Sequence, residues 1–161
     1  MCEVNDMDSE LLGGVLYAKP TPLINHARVC KNIAGIFGDG SKCSEKLQLD
    51  EQNAPIPDVA VGELNLIAEI VSAATLRNDR YYKKDLYARH GVKEYWIVDD
   101  EKLSVEAYRL LDGEYVLHDV FVMLSLHQDT QFKTPLLEKD GLTIDLKDVF
   151  KDVYENVLER S

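Results

Sequence analysis

Apolar residues recur along this chain with two periods, and the alternation between them predicts a mixed α/β fold. Leu11 to Ala18 (LLGGVLYA) reads as a broken strand or hairpin bent at Gly13-Gly14. Pro20 and Pro22 end extended structure there, and Asn25 is a candidate N-cap. From His26 the residues Val29, Cys30, Ile33, Ala34 and Phe37 fall at helical spacing, and Gly38-Asp39-Gly40 stops the helix. Lys42 to Asp50 alternates loosely through Cys43, Leu47 and Leu49 and is expected to be a strand. A second short strand follows at Asp58 to Val61, with Pro57 at a tolerated entry position. Leu64 to Val71 (LNLIAEIV) is apolar on both faces, the mark of a central strand covered on both sides. Asn78 to His90 reads as a helix ended by Gly91. Three strands come next, at Glu94 to Asp99, Leu103 to Leu110 and Tyr115 to Val122. Asp112-Gly113 between the last two is the strongest hairpin signal in the chain. Gly141 to Leu158 is expected to close with a short strand and one amphipathic helix carrying Val149, Phe150, Val153 and Val157. Together these elements predict a mixed, largely antiparallel sheet packed against at least two helices.

Composition narrows the class. With 161 residues, 45% hydrophobic and 29% charged, the chain fits one globular domain and needs no disulfide staples. Eighteen Lys and Arg stand against 29 Asp and Glu, a formal net charge of −11. Such a balance repels phosphate backbones at long range and excludes a general nucleic-acid coat protein, while it suits metal binding through carboxylates. Cys2, Cys30 and Cys43 are odd in number and share no C-x-x-C spacing, so neither a disulfide framework nor a zinc knuckle is supported. Met1 to Glu10 is polar and acidic, and no apolar run approaches the roughly 18 residues of a membrane span. A cytoplasmic protein without membrane contact is expected.

Candidate chemistry gathers around one residue. Glu69 lies inside the most apolar strand, where a carboxylate costs several kcal/mol unless it is paired or coordinates a metal. Either an ion pair with Arg77 or Arg80 or a metal site would account for it. Asp58 opens the preceding strand; if the two strands pair, both carboxylates converge at one edge of the sheet and could hold a hard divalent cation. As a residue after Pro57, Asp58 is also an ordinary turn former. The next helix is the basic island of the chain: Leu76 to Lys93 carries Arg77, Arg80, Lys83, Lys84, Arg89 and Lys93 against Asp79 and Asp85, net +4. Asp79, Lys83 and Tyr87 share one helix face, so Lys83 either forms a solvated i,i+4 pair or is presented to the carboxylates. His26, at a helix start, either caps or faces the same site. His90, His118 and His127 share no ligand spacing. Gly38 to Lys42 lacks the order of a phosphate-binding loop, Ser72 lacks the glycines of a nucleophile elbow, and Glu94 to Asp99 reads as sheet core.

The succession Pro57-Asp58, Glu69-Ile70-Val71-Ser72, Asp79, Lys83, Tyr87, Gly91-Val92 and Glu94-Tyr95-Trp96-Ile97-Val98-Asp99 resembles the Uma-two family of restriction-endonuclease-like proteins. Glu10-Leu11-Leu12 with Gly14, and Thr21-Pro22 followed by His26, resemble its opening motifs, so the likeness spans roughly Glu10 to Phe150. That family is similar to the PD-(D/E)xK nucleases. The resemblance implies one restriction-endonuclease-like domain over residues 1–161, a mixed, largely antiparallel sheet flanked by helices. It implies Mg2+ (or Mn2+) held by Asp58, Glu69 and the Ile70 carbonyl. The motif lysine would fall at Val71; in this family it looks relocated to the following helix, here Lys83. Asp58, Glu69 and Lys83 would then be catalytic. Glu10, His26 and Asp79 are candidate additions, and Arg77, Arg80 and Lys84 would meet DNA phosphates.

Two function classes follow. One is a Mg2+-dependent endonuclease that hydrolyses DNA phosphodiester bonds. The other is a catalytically degenerate module of the same fold that binds nucleic acid or a protein partner without cleavage; with either, a homodimer is a candidate assembly. Cleavage that depends on Asp58 separates them.

Overall fold

A computed structural model describes residues 9–19, 21–71 and 77–159, with 77–80 described by backbone alone. Strands β1 (Ser9–Leu12) and β2 (Val15–Ala18) form an antiparallel hairpin. Both turn residues, Gly13 at φ 61° and Gly14 at φ 80°, lie in the left-handed region that the tight turn requires. Helix α1 (Ile24–Phe37) follows, then β3 (Ser41–Cys43), β4 (Val59–Val61), β5 (Leu66–Val71) and helix α2 (Arg77–Arg89). Strands β6 (Glu94–Asp99), β7 (Ser104–Leu111) and β8 (Glu114–Val122) complete a six-stranded sheet of order β3-β4-β5-β6-β7-β8. Within it only β5 and β6 run parallel, joined through α2; the other four pairings are antiparallel. The β7–β8 turn is made by Asp112 (φ 52°) and Gly113 (φ 81°), as the Asp-Gly pair predicts.

The strand period of two sorts β5 into two cores. Leu66, Ala68 and Ile70 join Val29 and Ile33 of α1, Trp96 and Phe150 on one face. Ile67 and Val71 join Tyr87 of α2 and Tyr95 on the other. All six residues of β5 are buried, as expected of a doubly covered strand. Glu69 shares parity with Ile67 and Val71 and therefore faces α2.

Several local expectations differ from what forms. Helix α1 begins at Ile24 with Leu23 at the N-cap, two residues before Asn25, and no side chain caps it. The segment from Lys42 to Asp50 is a strand only as far as Cys43. Beyond it Leu47 N–H donates to the Pro55 carbonyl and Leu49 N–H to the Asn53 carbonyl, so the leucines pack from a loop folded on itself. The C-terminal helix is split into α4 (Leu146–Val149) and α5 (Tyr154–Leu158). Asp152, at φ 65°, turns the chain out of helical geometry between them. Preceding α4 are β9 (Gln131–Phe132), helix α3 (Pro135–Lys139) and β10 (Ile144–Asp145), of which only the last is expected from the pattern. Thr134 caps α3 through a bond from Leu137 N–H, with Pro135 in the first turn. No helix among the described residues is long and apolar enough to cross a membrane.

Candidate active site

The β4–β5 ladder ends at Val59↔Ala68, and Asp58 and Glu69 are the next residues on each strand. There the Asp58 carboxylate replaces the backbone partner. Its Oδ2 accepts from Ile70 N–H at 2.8 Å, so a side chain satisfies an amide that the shortened ladder leaves open. Lys19, just past β2, donates from Nζ to Asp58 Oδ1 at 3.0 Å and also to the Ile56 carbonyl. His26 Nε2, from the first turn of α1, lies 3.2 Å from Asp58 Oδ2. Burial alone would raise the Asp58 pKa. The His26 hydrogen bond, the charges of Lys19 and His26 and the Ile70 amide outweigh it and hold the carboxyl well below the usual carboxylate range. Asp58 is therefore ionised although only 3% exposed.

Glu69 has a different setting. Its Oε1 accepts from Tyr87 Oη–H at 2.8 Å and lies 3.5 Å from Lys83 Nζ. Lys83 Nζ also reaches Glu10 Oε1 at 2.5 Å, and the same Glu10 oxygen accepts from Ile56 N–H at 2.8 Å. Glu10, Glu69 and Lys83 are all buried. Burial pushes the Glu69 carboxyl up and the charges of Asp58 and Glu10 add to it; Lys83 opposes them, and the pKa comes to about 7. Burial pulls Lys83 down, but the charges of Glu69 and Glu10 prevail and keep it above the ordinary lysine range. Tyr87, raised first by burial and then by Glu69, stays a protonated donor. Two neighbouring carboxylates thus have opposite tendencies, one firmly ionised and one that titrates near neutrality.

The residues singled out in the sequence are therefore largely brought together. Asp58, Glu69, Lys83, Glu10 and His26 form one continuous cluster at the C-terminal end of β5, and the Ile70 amide is bonded into it. Lys84 points elsewhere, with Nζ 3.7 Å from the centroid of the Tyr108 ring on β7. The side chains of Arg77, Asp79 and Arg80, and all of Ser72, lie outside the described residues. Among those described, the partners of Glu69 are Lys83 and Tyr87. Lys19 is the participant that sequence reasoning missed. A lone lysine after a hairpin carries no periodic or spacing signal, and its partner lies on a distant strand. Glu94 has the sequence pattern of sheet core, and the structure adds a role. It is a second buried carboxylate on the α1 face, accepting from Trp96 Nε1–H at 2.9 Å and from Leu136 N–H at 2.6 Å, and it ties α3 to the sheet.

Three buried carboxylates, Glu10, Asp58 and Glu69, gather in this cluster. Their oxygens are the donor class that a hard divalent cation takes. A carboxyl raised to about 7 by burial and by neighbouring anions is one that an added positive charge would ionise.

Comparison with known proteins bears on the fold and the family. No curated protein matches the chain. Among solved structures, a putative nuclease of the DUF820 group from Anabaena variabilis superposes with a TM-score of 0.69 at 17% identity, covering 88% of this chain and 89% of that one. At that identity the likeness establishes the fold, the mixed sheet with flanking helices. The family described as Uma2, putative restriction endonuclease, matches residues 1–147, nearly the whole sequence, and the chain belongs to that family.

Proposed function

We propose that the protein is a Mg2+- or Mn2+-dependent endonuclease that hydrolyses DNA phosphodiester bonds, acting in the cytoplasm. The observation that carries this reading is Glu69: a buried carboxylate in the central strand, next along the chain to the Asp58-bound Ile70 amide and in contact with a buried lysine. Asp58, Glu69 and the Ile70 carbonyl would hold the cation, with Glu10 adding a further carboxylate. Bound there, the cation supplies Lewis-acid polarisation of the scissile phosphate and lowers the pKa of a water. The chain's own groups do the rest. Glu69, raised to about 7 by burial, would ionise fully as the cation binds, and Tyr87 Oη–H fixes the rotamer of its carboxylate. Lys83 holds Glu10 and Glu69 in one place and balances their charge as the phosphate approaches. Lys19, more exposed than Lys83, presents a second ammonium at the mouth of the cluster. Arg77 and Arg80 would contact backbone phosphates, a local attraction within a chain of charge −11, while Lys84 is engaged on the Tyr108 ring.

The second reading, a module that binds without cleaving, is favoured by one feature. Lys19 and His26 already pair with Asp58, and Lys83 with Glu10 and Glu69, so the cluster can stand as a closed ion-pair network. Incubation of plasmid and of single-stranded DNA with the protein in Mg2+ or Mn2+ separates the two. Cleavage that disappears in Asp58→Ala supports the enzyme, and absence of metal-dependent cleavage by the wild type removes it.

A further inference from the structure

On the other side of Asp58 lies a set of donors that the hydrolytic reading does not use. His26 and Cys30 stand four residues apart on α1, the spacing that places two side chains one above the other on a helix face. His26 Nδ1 is 3.8 Å from Cys30 Sγ, while its Nε2 side faces Asp58. One ligand atom from each of His26, Cys30 and Asp58 lies within 4.8 Å of the other two. Bond lengths of about 2.0–2.3 Å in a tetrahedral zinc site place ligand atoms roughly 3.3–3.8 Å apart, so the trio needs a contraction of at most about 1.5 Å. An open groove lined by Pro22, His26, Cys30, Lys31 and Cys43 reaches two of the three, His26 and Cys30, and gives an ion a path of entry to them.

We propose that His26, Cys30 and Asp58 form a binding site for a thiophilic divalent cation of the Zn2+ type, with a fourth position open to the groove. The chemistry differs from that of the carboxylate cluster. A thiolate and an imidazole select a borderline-soft ion, whereas Mg2+ prefers oxygen alone. Zn2+ displaces the thiol proton of Cys30 to solvent, and the resulting thiolate, the imidazole and the Asp58 carboxylate complete three ligands. The backbone supports this placement: α1 fixes two ligands, and the Ile70 amide holds the third from behind. Asp58 is common to this site and to the proposed hydrolytic centre, so zinc would draw on the same carboxylate. The site itself does not depend on the hydrolytic reading.

The test uses the whole protein, freed of metal, without DNA and in millimolar Mg2+, titrated with Co2+ as the spectroscopic probe. The expected result is a thiolate-to-cobalt charge-transfer absorption that saturates near one equivalent and is erased by Zn2+. It should persist in Cys43→Ser and vanish in Cys30→Ser. Because Cys30 is buried and its variant could unfold, His26→Gln at a half-buried position carries the test separately, weakening Co2+ binding by about tenfold or more while the circular dichroism spectrum is retained. Absence of the thiolate band in the wild type overturns the proposal. So does a band that survives Cys30→Ser, or an affinity unchanged by His26→Gln. Each readout is independent of DNA cleavage, so loss of the nuclease reading leaves the zinc site standing, and the reverse.

Discussion

Replacing Glu69 by glutamine separates a metal-holding carboxylate from a structural one. The amide keeps the shape and an oxygen for Tyr87 Oη–H, and Lys83 keeps Glu10, to which it is closer. What is removed is a buried negative charge. The folded-state pKa of Glu69, about 7, is above its unfolded value near 4.5. Its contribution to stability is therefore fully present below about pH 4.5 and is lost as pH rises through 7. A difference of that size corresponds to about 3 kcal/mol, an upper bound for what the variant recovers above neutrality, because Lys83 loses one of its two counter-charges. At roughly 2–4 °C per kcal/mol for a chain of this size, the metal-free variant should melt no lower than wild type at pH 8, and by up to about 6–12 °C higher. The two should converge by pH 5. Millimolar Mg2+ or Mn2+ should stabilise the wild type, by about 2.7 kcal/mol when present at a hundred times its dissociation constant, and leave the variant unmoved. Thermal melts of both proteins across pH 5–8, with and without metal, measure all of this. A loss of about 3–5 kcal/mol in the metal-free variant at pH 8, with no metal effect on wild type, would show that Glu69 serves Lys83 as a structural partner and refute the reasoning.

Lys83→Met should be the costliest change in the cluster, about 3–5 kcal/mol at neutral pH, since it leaves Glu10 and Glu69 buried without a cation; chemical denaturation measures it, and a loss below 1 kcal/mol would count against a buried network. Tyr87→Phe removes a buried donor and should cost about 1–3 kcal/mol while raising the Glu69 pKa further, which a pH series of melts on both proteins reads. Asp58 is held below the usual carboxylate range, so its stabilising share is present above about pH 4 and lost as pH falls; Asp58→Asn should destabilise at pH 7 by about 1–3 kcal/mol and flatten the acid limb of the stability profile. Charge reversal at Arg77 and Arg80 together should weaken DNA binding at low salt by about tenfold or more and reduce its salt slope, as followed by fluorescence anisotropy, and unchanged affinity would exclude this helix as the phosphate contact.

The parts of the fold legible in the sequence are those with enough residues to show a period. Strand β5 and helices α1 and α2 are long, and the Gly-Gly and Asp-Gly turns announce their backbone directly. Elements of two to five residues, such as β9 and α3, are stabilised by a cap and by long-range packing and carry no period to read. The loop before β4 misleads for the opposite reason. Leu47 and Leu49 alternate as a strand would, yet their amides are satisfied by residues 53 and 55, close along the chain. At the site, Glu69 stands out because a charge interrupts an apolar run, and Lys83 because it shares a helix face with Tyr87. Lys19, and the pairing of Glu10 with Lys83, depend on contacts between distant segments and leave no local trace.

The N-terminal hairpin contributes Glu10 from one strand and Lys19 from just beyond the other, yet it is not a member of the six-stranded sheet. Apart from its site contacts it is fastened by the Leu11–Ala54 bridge, by Gly14 N–H on the Gln52 carbonyl and by Gly13 N–H on Asn53 Oδ1. The outer strand is exposed along its whole length. Docking of this flap is consequently the step that completes the cluster, bringing Glu10 to Lys83 and Lys19 to Asp58, and it can reverse while the sheet behind it stays folded. Each opening would hydrate Glu69 and Lys83 and free their charges. The amides of Leu11 and Ala54 should therefore exchange with solvent deuterium sooner than those of β5, and at a rate that reports how often the cluster comes apart.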